Sequence, residues 1–174
     1  MRKSFFLLIF ILLVNQTFGR REQGTWQDYL SFSNAVKIAD AGSRIYCATE
    51  GGLFYLDKND NSIGKFSGLN GLNDFGIKNI AYSEIHNLLV VIYENSNIDL
   101  VFDSQVINIP DIARKQITGD KSIYNIHISG NEAYLSCGFG IVVLNLGKKE
   151  IKDTYLIGEG GTYLRVNDIE IFDS

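Results

Sequence analysis

The stretch that decides the fold occurs twice in the chain. Residues 38–57 read IADAGSRIYCATEGGLFYLD, and residues 126–145, which follow 88 positions later, read IHISGNEAYLSCGFGIVVLN. Five identities align without a gap: Ile38 with Ile126, Gly42 with Gly130, Tyr46 with Tyr134, Gly52 with Gly140, and Leu56 with Leu144. An internal repeat constrains the fold more than any local motif does, because both copies have to form the same supersecondary unit.

A four-residue segment that ends in isoleucine marks the start of each unit and gives the period. It occurs at residues 35–38, 77–80, 123–126 and 166–169, so that the final isoleucines are 42, 46 and 43 positions apart. A period of about 40 to 50 residues, rich in short apolar runs and turn residues, is typical of one four-stranded β-propeller blade. The spacing between the two long copies then corresponds to two blades.

The chain is therefore predicted to be all-β, a partial β-propeller of four-stranded antiparallel blades with about three blades and the first strand of a fourth. The propeller is predicted over residues 35–174, with blades at 35–76, 77–122 and 123–165 and the next one starting at 166–174. The predicted strands are 36–39, 44–48, 53–56, 63–66, 77–82, 88–93, 98–102, 106–109, 124–128, 133–136, 141–146 and 151–157. Since propeller rings usually have about four to eight blades, we expect this to be the N-terminal part of a longer protein, or the ring to be completed by something outside this sequence.

The N-terminus has the pattern of a secretory signal peptide. Arg2 and Lys3 precede ten apolar residues at 5–14, a run shorter than the about 20 residues that a membrane-spanning helix needs. A signal peptide is predicted at residues 1–19, with a membrane anchor as the alternative, and an aromatic lead segment at 20–34. The mature protein is then expected in the periplasm or at the outer membrane and cell surface.

Composition and cysteine placement exclude several classes of protein. Removing residues 1–19 leaves 14 basic and 20 acidic residues, and nucleic-acid binding relies on clustered Lys and Arg, so no nucleic-acid partner is predicted. Cys47 and Cys137 fall in different blades, whereas a disulfide needs Cα atoms within about 7 Å. Two free, largely buried thiols are predicted, and their spacing fits no zinc motif.

No catalytic constellation emerges from the sequence. His86 and His127 occupy different positions of the repeat, and acid–base catalysis needs a positioned partner. Residues 57–61, DKNDN, begin like a calcium loop but lack its glycine bend and its bidentate glutamate, which favours a simple turn. We predict a protein that is not an enzyme and that binds no metal or cofactor.

The candidate binding residues come from the connections between strands. In a meander of antiparallel strands, the turn between the second and third strands and the connection to the next blade emerge at the same end of every blade. The residues predicted to bind a ligand or partner there are Glu50, Asn70, Asn73, Phe75, Glu94, Asn95, Phe139 and Tyr163. Amides, carboxylates and exposed aromatic rings suit a sugar or a protein loop, although solvated turn residues are the simpler alternative.

The repeats resemble a known type of propeller. Residues 70–103, together with the copies at 52–57 and 140–145, look like the sensor-type propeller repeats of Bacteroidetes. One family with such repeats is the periplasmic sensor region of hybrid two-component regulators, whose blades have a Trp-Ile-Gly-Thr core. The corresponding strands here read YCAT at 46–49 and LVVI at 89–92, without the tryptophan. A glycan-sensing propeller of such a regulator is the alternative function.

A closer resemblance is to PorZ-like N-terminal propellers of the type IX secretion system. It rests on the aromatic lead WQDYLSFS at 26–33 and on AGSRIYCATEGGLF at 41–54. The resemblance implies a non-catalytic binding and assembly module at the outer membrane, in complex with the type IX sortase and its partners. It also implies binding of an anionic lipopolysaccharide, through regions that would lie beyond Ser174.

Overall fold

A computed structural model describes residues 32–66 and 71–172 of the 174-residue chain. The predicted signal peptide, and all of the predicted lead segment except residues 32–34, lie outside these residues. The described parts form three four-stranded antiparallel sheets in which each strand pairs with its neighbours in sequence. This arrangement confirms the partial propeller, and the sheets are called blades one, two and three below.

The strand bounds agree closely with those predicted. Blade one contains β1 (Ala35–Ala41), β2 (Arg44–Thr49), β3 (Gly52–Asp57) and β4 (Ile63–Phe66). Blade two contains β5 (Ile77–Ser83), β6 (Leu88–Tyr93), β7 (Ile98–Val101) and β8 (Val106–Ile109). Blade three contains β9 (Ile123–Ser129), β10 (Glu132–Cys137), β11 (Gly140–Asn145) and β12 (Glu150–Tyr155).

The repeated segment that starts each unit forms a β-bulge in all three blades. The pairing register of the first strand shifts once in each blade, which leaves Val36, Lys78 and Tyr124 without an opposed residue on the second strand. A bulge adds one residue to a strand and increases its local twist. The repeat in the sequence is therefore also a repeat of backbone geometry.

The blades pack face to face, and their first strands lie side by side. Strand β1 contacts β5, and β5 contacts β9, as expected for the innermost strands around a propeller axis. One apolar cluster fills the space between blades one and two, where the rings of Tyr46 and Tyr82 stack at 6.3 Å. A second cluster, which includes Leu100 and Leu135, lies between blades two and three.

Two cysteines belong to these sheets and are free and buried, as predicted. The DKNDN segment is the turn between β3 and β4, also as predicted. Its Asp57 carboxylate accepts the backbone N–H of Asn59 at 3.0 Å, and that of Asp60 accepts the N–H of Ser62 at 2.8 Å. These carboxylates are therefore used to close the turn.

The structure departs from the predicted strands in two places. No helix was predicted in this chain, because its sequence shows no helical periodicity. Residues 111–114 nevertheless form the single helical turn α1 (Asp111–Arg114), directly after Pro110. Residues 166–172, predicted to start the next blade, form no strand within the described chain. Their contacts with blade three include a hydrogen bond from the Val166 N–H to the Cys137 carbonyl, 3.0 Å long.

Candidate partner-binding face

We use the name partner-binding face for the end of the blades at which the β2–β3, β6–β7 and β10–β11 turns and the connections between blades emerge. Two of these segments, the loop 71–76 and the β6–β7 turn at 94–97, are joined by hydrogen bonds. The Glu94 N–H donates to the Gly76 carbonyl at 2.9 Å. The side-chain amides of Asn95 and Asn97 both donate to the Asp74 carboxylate, that of Asn97 at 3.3 Å. The predicted residues Asn73, Phe75, Glu94 and Asn95 are thus brought into one region.

Glycine is favoured at position 76, where the loop meets the turn. Its φ is +69°, and a Cβ atom at this position would lie 3.2 Å from the Glu94 carboxylate. A residue with a side chain would therefore meet both backbone strain and a close contact.

The loop 71–76 is anchored by a buried carboxylate that sequence reasoning missed. Asp99 in β7 is fully buried and accepts four hydrogen bonds. The Asn73 backbone N–H donates at 2.8 Å and the Asn73 amide at 3.0 Å. The Tyr93 hydroxyl donates at 2.6 Å and the Asn108 amide at 2.9 Å. Burying a carboxylate is unfavourable unless hydrogen bonds compensate for lost water, and these four donors do so.

The electrostatics of the anchor agree with this geometry. Burial, and the hydrogen bond to the Asp99 carboxylate, raise the pKa of Tyr93 well above its usual range, so its hydroxyl stays a donor. At the surface, burial tends to raise the pKa of Asp74, but hydrogen bonds from Asn95, Phe75 and Asn97 outweigh it and lower that pKa overall. At neutral pH the Tyr93 hydroxyl therefore remains a donor to Asp99, and the Asp74 carboxylate remains an acceptor for Asn95 and Asn97.

The anchored loop presents an aromatic side chain to solvent. Phe75 is 68% exposed, and Glu94 and Asn95 beside it are exposed as well. An exposed phenylalanine next to amides and carboxylates, on a backbone fixed by a buried anchor, can pack against an apolar group and orient it through the surrounding polar atoms.

The remaining predicted residues lie elsewhere on the partner-binding face. Glu50 is exposed at the β2–β3 turn, and Asn70 lies outside the described residues. Phe139 was expected to be exposed, and this expectation is wrong: it is 2% exposed, because it packs into the cluster between blades two and three. Its ring meets that of Tyr163, which is 46% exposed, edge to face at 6.3 Å.

The described residues offer little for nucleophilic or metal chemistry. No group of three His, Cys, Asp or Glu residues within them could hold a metal ion. Burial raises the pKa of the Cys137 thiol to about 12 and also raises that of Cys47, so both are protonated at neutral pH. His86 Nε2 lies 3.0 Å from Asn131 Oδ1 near the surface.

These features define the class of protein: a β-propeller segment of meander blades with a preset loop at one end. Comparison with known proteins gives the family. The family model described as "TSS9, PorZ, N-terminal beta-propeller domain" matches residues 45–173, and the chain belongs to this family.

Solved structures agree with this assignment. The structure of PorZ from Porphyromonas gingivalis, described as an essential bacterial surface component of the type IX secretion system, is 30% identical and superposes with a TM-score of 0.71. The match covers 76% of this chain but only 18% of that one. Apo AztD from Citrobacter koseri is 14% identical over 72% of this chain and 34% of its own, and its TM-score of 0.55 shows a shared fold. No curated protein sequence matches the chain.

Within the described residues, no helix has the length and apolar character that crossing a membrane would require.

Proposed function

We propose that this propeller is a non-catalytic binding and assembly module of the type IX secretion system, part of a complex with the type IX sortase at the outer membrane. Family membership supports the link to this secretion system. The observation that carries the binding role is the loop 71–76, which Asp99 anchors from inside blade two and which presents Phe75 to solvent.

The mechanism is rigid presentation. Ordering a flexible loop on binding costs conformational entropy, which reduces the net affinity. Two hydrogen bonds from Asn73 to Asp99, and those from the β6–β7 turn to Asp74, fix the loop before a partner arrives. The hydrogen bonds from Tyr93 and Asn108 hold the Asp99 carboxylate itself in place. A partner that covers Phe75 therefore gains the burial of an aromatic ring at little ordering cost.

Localisation and a further ligand follow from the same proposal. The chain is secreted across the inner membrane and acts in the periplasm or at the cell surface, where the solved PorZ is described as a surface component. We propose that the protein also binds an anionic lipopolysaccharide, as the resemblance to PorZ-like propellers implies. This second activity does not depend on Phe75.

A pull-down from envelope extracts tests the assembly role. The full-length protein should recover the type IX sortase, and the Phe75→Ala variant should recover at least about tenfold less, as expected for a central aromatic anchor. Ile85→Ala is the matched control, because Ile85 is an equally exposed apolar residue, at 67%, in the β5–β6 turn at the opposite end of blade two.

The outcomes separate the possible functions. Equal recovery of the sortase by the Phe75 and Ile85 variants would mean that the loop 71–76 is not the contact. If the unmodified protein recovered no sortase but bound glycans, the assembly role would be wrong and the sensor function would be favoured. Lipopolysaccharide should co-purify equally with both variants.

A further inference from the structure

A cleft of about 560 Å³ opens between blades two and three. One wall is the segment after β8, from Pro110 through α1 to Lys115, and the other consists of β11, β12 and Phe139. We propose that this cleft binds a small amphipathic anion, a molecule with an aryl or alkyl body and one carboxylate or sulfonate group. The proposal is independent of the partner-binding role of the loop 71–76.

The floor of the cleft is suited to the apolar body of such a ligand. Ile112, Phe139 and Val142 are almost completely buried in the cluster between the blades, and Ile151 packs against them. The volume lies within the range of about 300 to 1,000 Å³ that is usual for small-molecule sites. Apolar surface that enters such a cleft leaves water, and this transfer drives binding.

The rim carries the positive charge that selects an anion. Arg114 and Lys115 line the cleft and are exposed. Across residues 32–66 and 71–172, neither side chain takes part in an ion pair. Asp111 is the carboxylate in the lining, one helical turn before Arg114 and Lys115, and forms no ion pair with either. The lining therefore has a net charge of +1, and its cations are free to pair with an anionic head group.

The cleft is formed before any ligand binds. Lys121 Nζ donates to the backbone carbonyls of Ala113 and Lys115, at 2.7 and 3.3 Å, and so holds the end of α1. The Ser96 hydroxyl donates to the Lys121 carbonyl at 2.9 Å, which ties this segment to the β6–β7 turn. One wall is held by these hydrogen bonds and the other belongs mainly to the sheet of blade three, so ligand binding requires little ordering.

Binding of two fluorescent probes to the full-length protein tests the site and its charge preference. Anilinonaphthalene sulfonate has the proposed chemistry, and phenylnaphthylamine has the same rings without the sulfonate. Thr154→Trp places a large ring at the exposed mouth of the cleft and should abolish saturable binding of both probes. Ile38→Gln, on the open face of blade one, is the control for probe bound to other apolar surface and should leave cleft binding unchanged.

Removal of the two cations tests the anionic preference separately. The double variant Arg114→Gln, Lys115→Gln should raise the dissociation constant of the sulfonate probe at least about fivefold, because two partly solvated charge contacts are lost. The affinity for the neutral probe should not change. Decanoate should displace the sulfonate probe at lower concentration than decanol does.

Thermal unfolding of each variant verifies that it is folded, which is expected because the substituted cleft residues are all exposed. Sulfonate binding that Thr154→Trp does not affect would overturn the site. Equal losses of the charged and neutral probes in the double glutamine variant, or no loss of either, would overturn the anionic ligand class.

Discussion

Blades one and two have the same four-stranded design, yet their residues are buried very differently. Every residue of β6 and β7 in blade two is buried, whereas most of β1 in blade one is exposed. Within residues 32–66 and 71–172, blade two has a neighbouring blade on each face, whereas blade one has a neighbouring blade on one face. On its other face Val36, Ile38 and Ile63 are between 44% and 63% exposed. An apolar residue therefore contributes more to stability in blade two, where neighbouring blades bury it, than on the exposed face of blade one.

One substitution at two positions provides the largest test of this comparison. Ile98→Ala in blade two removes a fully buried side chain and should lower the free energy of unfolding by about 2 to 5 kcal/mol. Ile38→Ala in blade one removes a side chain that is 61% exposed, and its effect should stay below about 1 kcal/mol. Chemical denaturation measures both. Equal losses would show that the open face of blade one is covered in solution.

A buried and an exposed carboxylate should differ in the same way in their contribution to stability. Asp99→Ala leaves donors from Asn73, Tyr93 and Asn108 without their acceptor, and should cost about 3 kcal/mol. Asp103→Ala is the control, because its carboxylate is 67% exposed and pairs with Arg44 at the surface. That change should cost less than about 1 kcal/mol.

Hydrogen exchange distinguishes an anchor from a general contribution to stability. Asp99→Ala should speed exchange of the Asn73 backbone N–H by more than the variant's loss of global stability accounts for, since this N–H donates directly to Asp99. If the Asn73 backbone N–H exchanged at the same rate in the variant and in the unmodified protein, Asp99 would not be the anchor of the loop.

The smallest expected effect is the pH dependence of Asp74. Burial tends to raise its folded-state pKa, but hydrogen bonds lower it below the usual value for an aspartate, so the folded state binds fewer protons than the unfolded state as the pH falls through this range. The resulting stabilisation is fully present above about pH 4 and is lost as the pH falls through the folded-state pKa. Acid titration of the loop 71–76 by NMR should show this, and Asp74→Asn should remove it. A midpoint in the folded protein at or above that of an aspartate in an unfolded peptide would contradict the assigned hydrogen bonds.

Much of the fold was predictable because the signals are local. The repeat of residues 38–57 at 126–145 identified the blade, and the apolar runs located all twelve strands to within about two residues of each end. The short helix at 111–114 was missed because one turn is too short to show a helical period. Pro110 was a signal that could have found it, since proline favours the start of a helix.

The candidate site was predictable only in part. The structure brings Asn73, Phe75, Glu94 and Asn95 together, because the alternation of strand direction puts their segments at one end of the blades. Their role in binding stays a prediction. Asp99 was missed, although an aspartate inside the strand IDLV was a signal that could have found it. The burial of Phe139 had no local signal, because it depends on packing from blade two.

The sequence by itself determined the blade, its period and its strands, since these follow from the spacing of apolar residues and glycines along the chain. Only the tertiary structure decided which residues are buried, which carboxylate anchors the exposed loop, and where two blades leave a cleft. These properties depend on contacts between residues from successive blades, and chain spacing alone does not specify how closely their side chains approach.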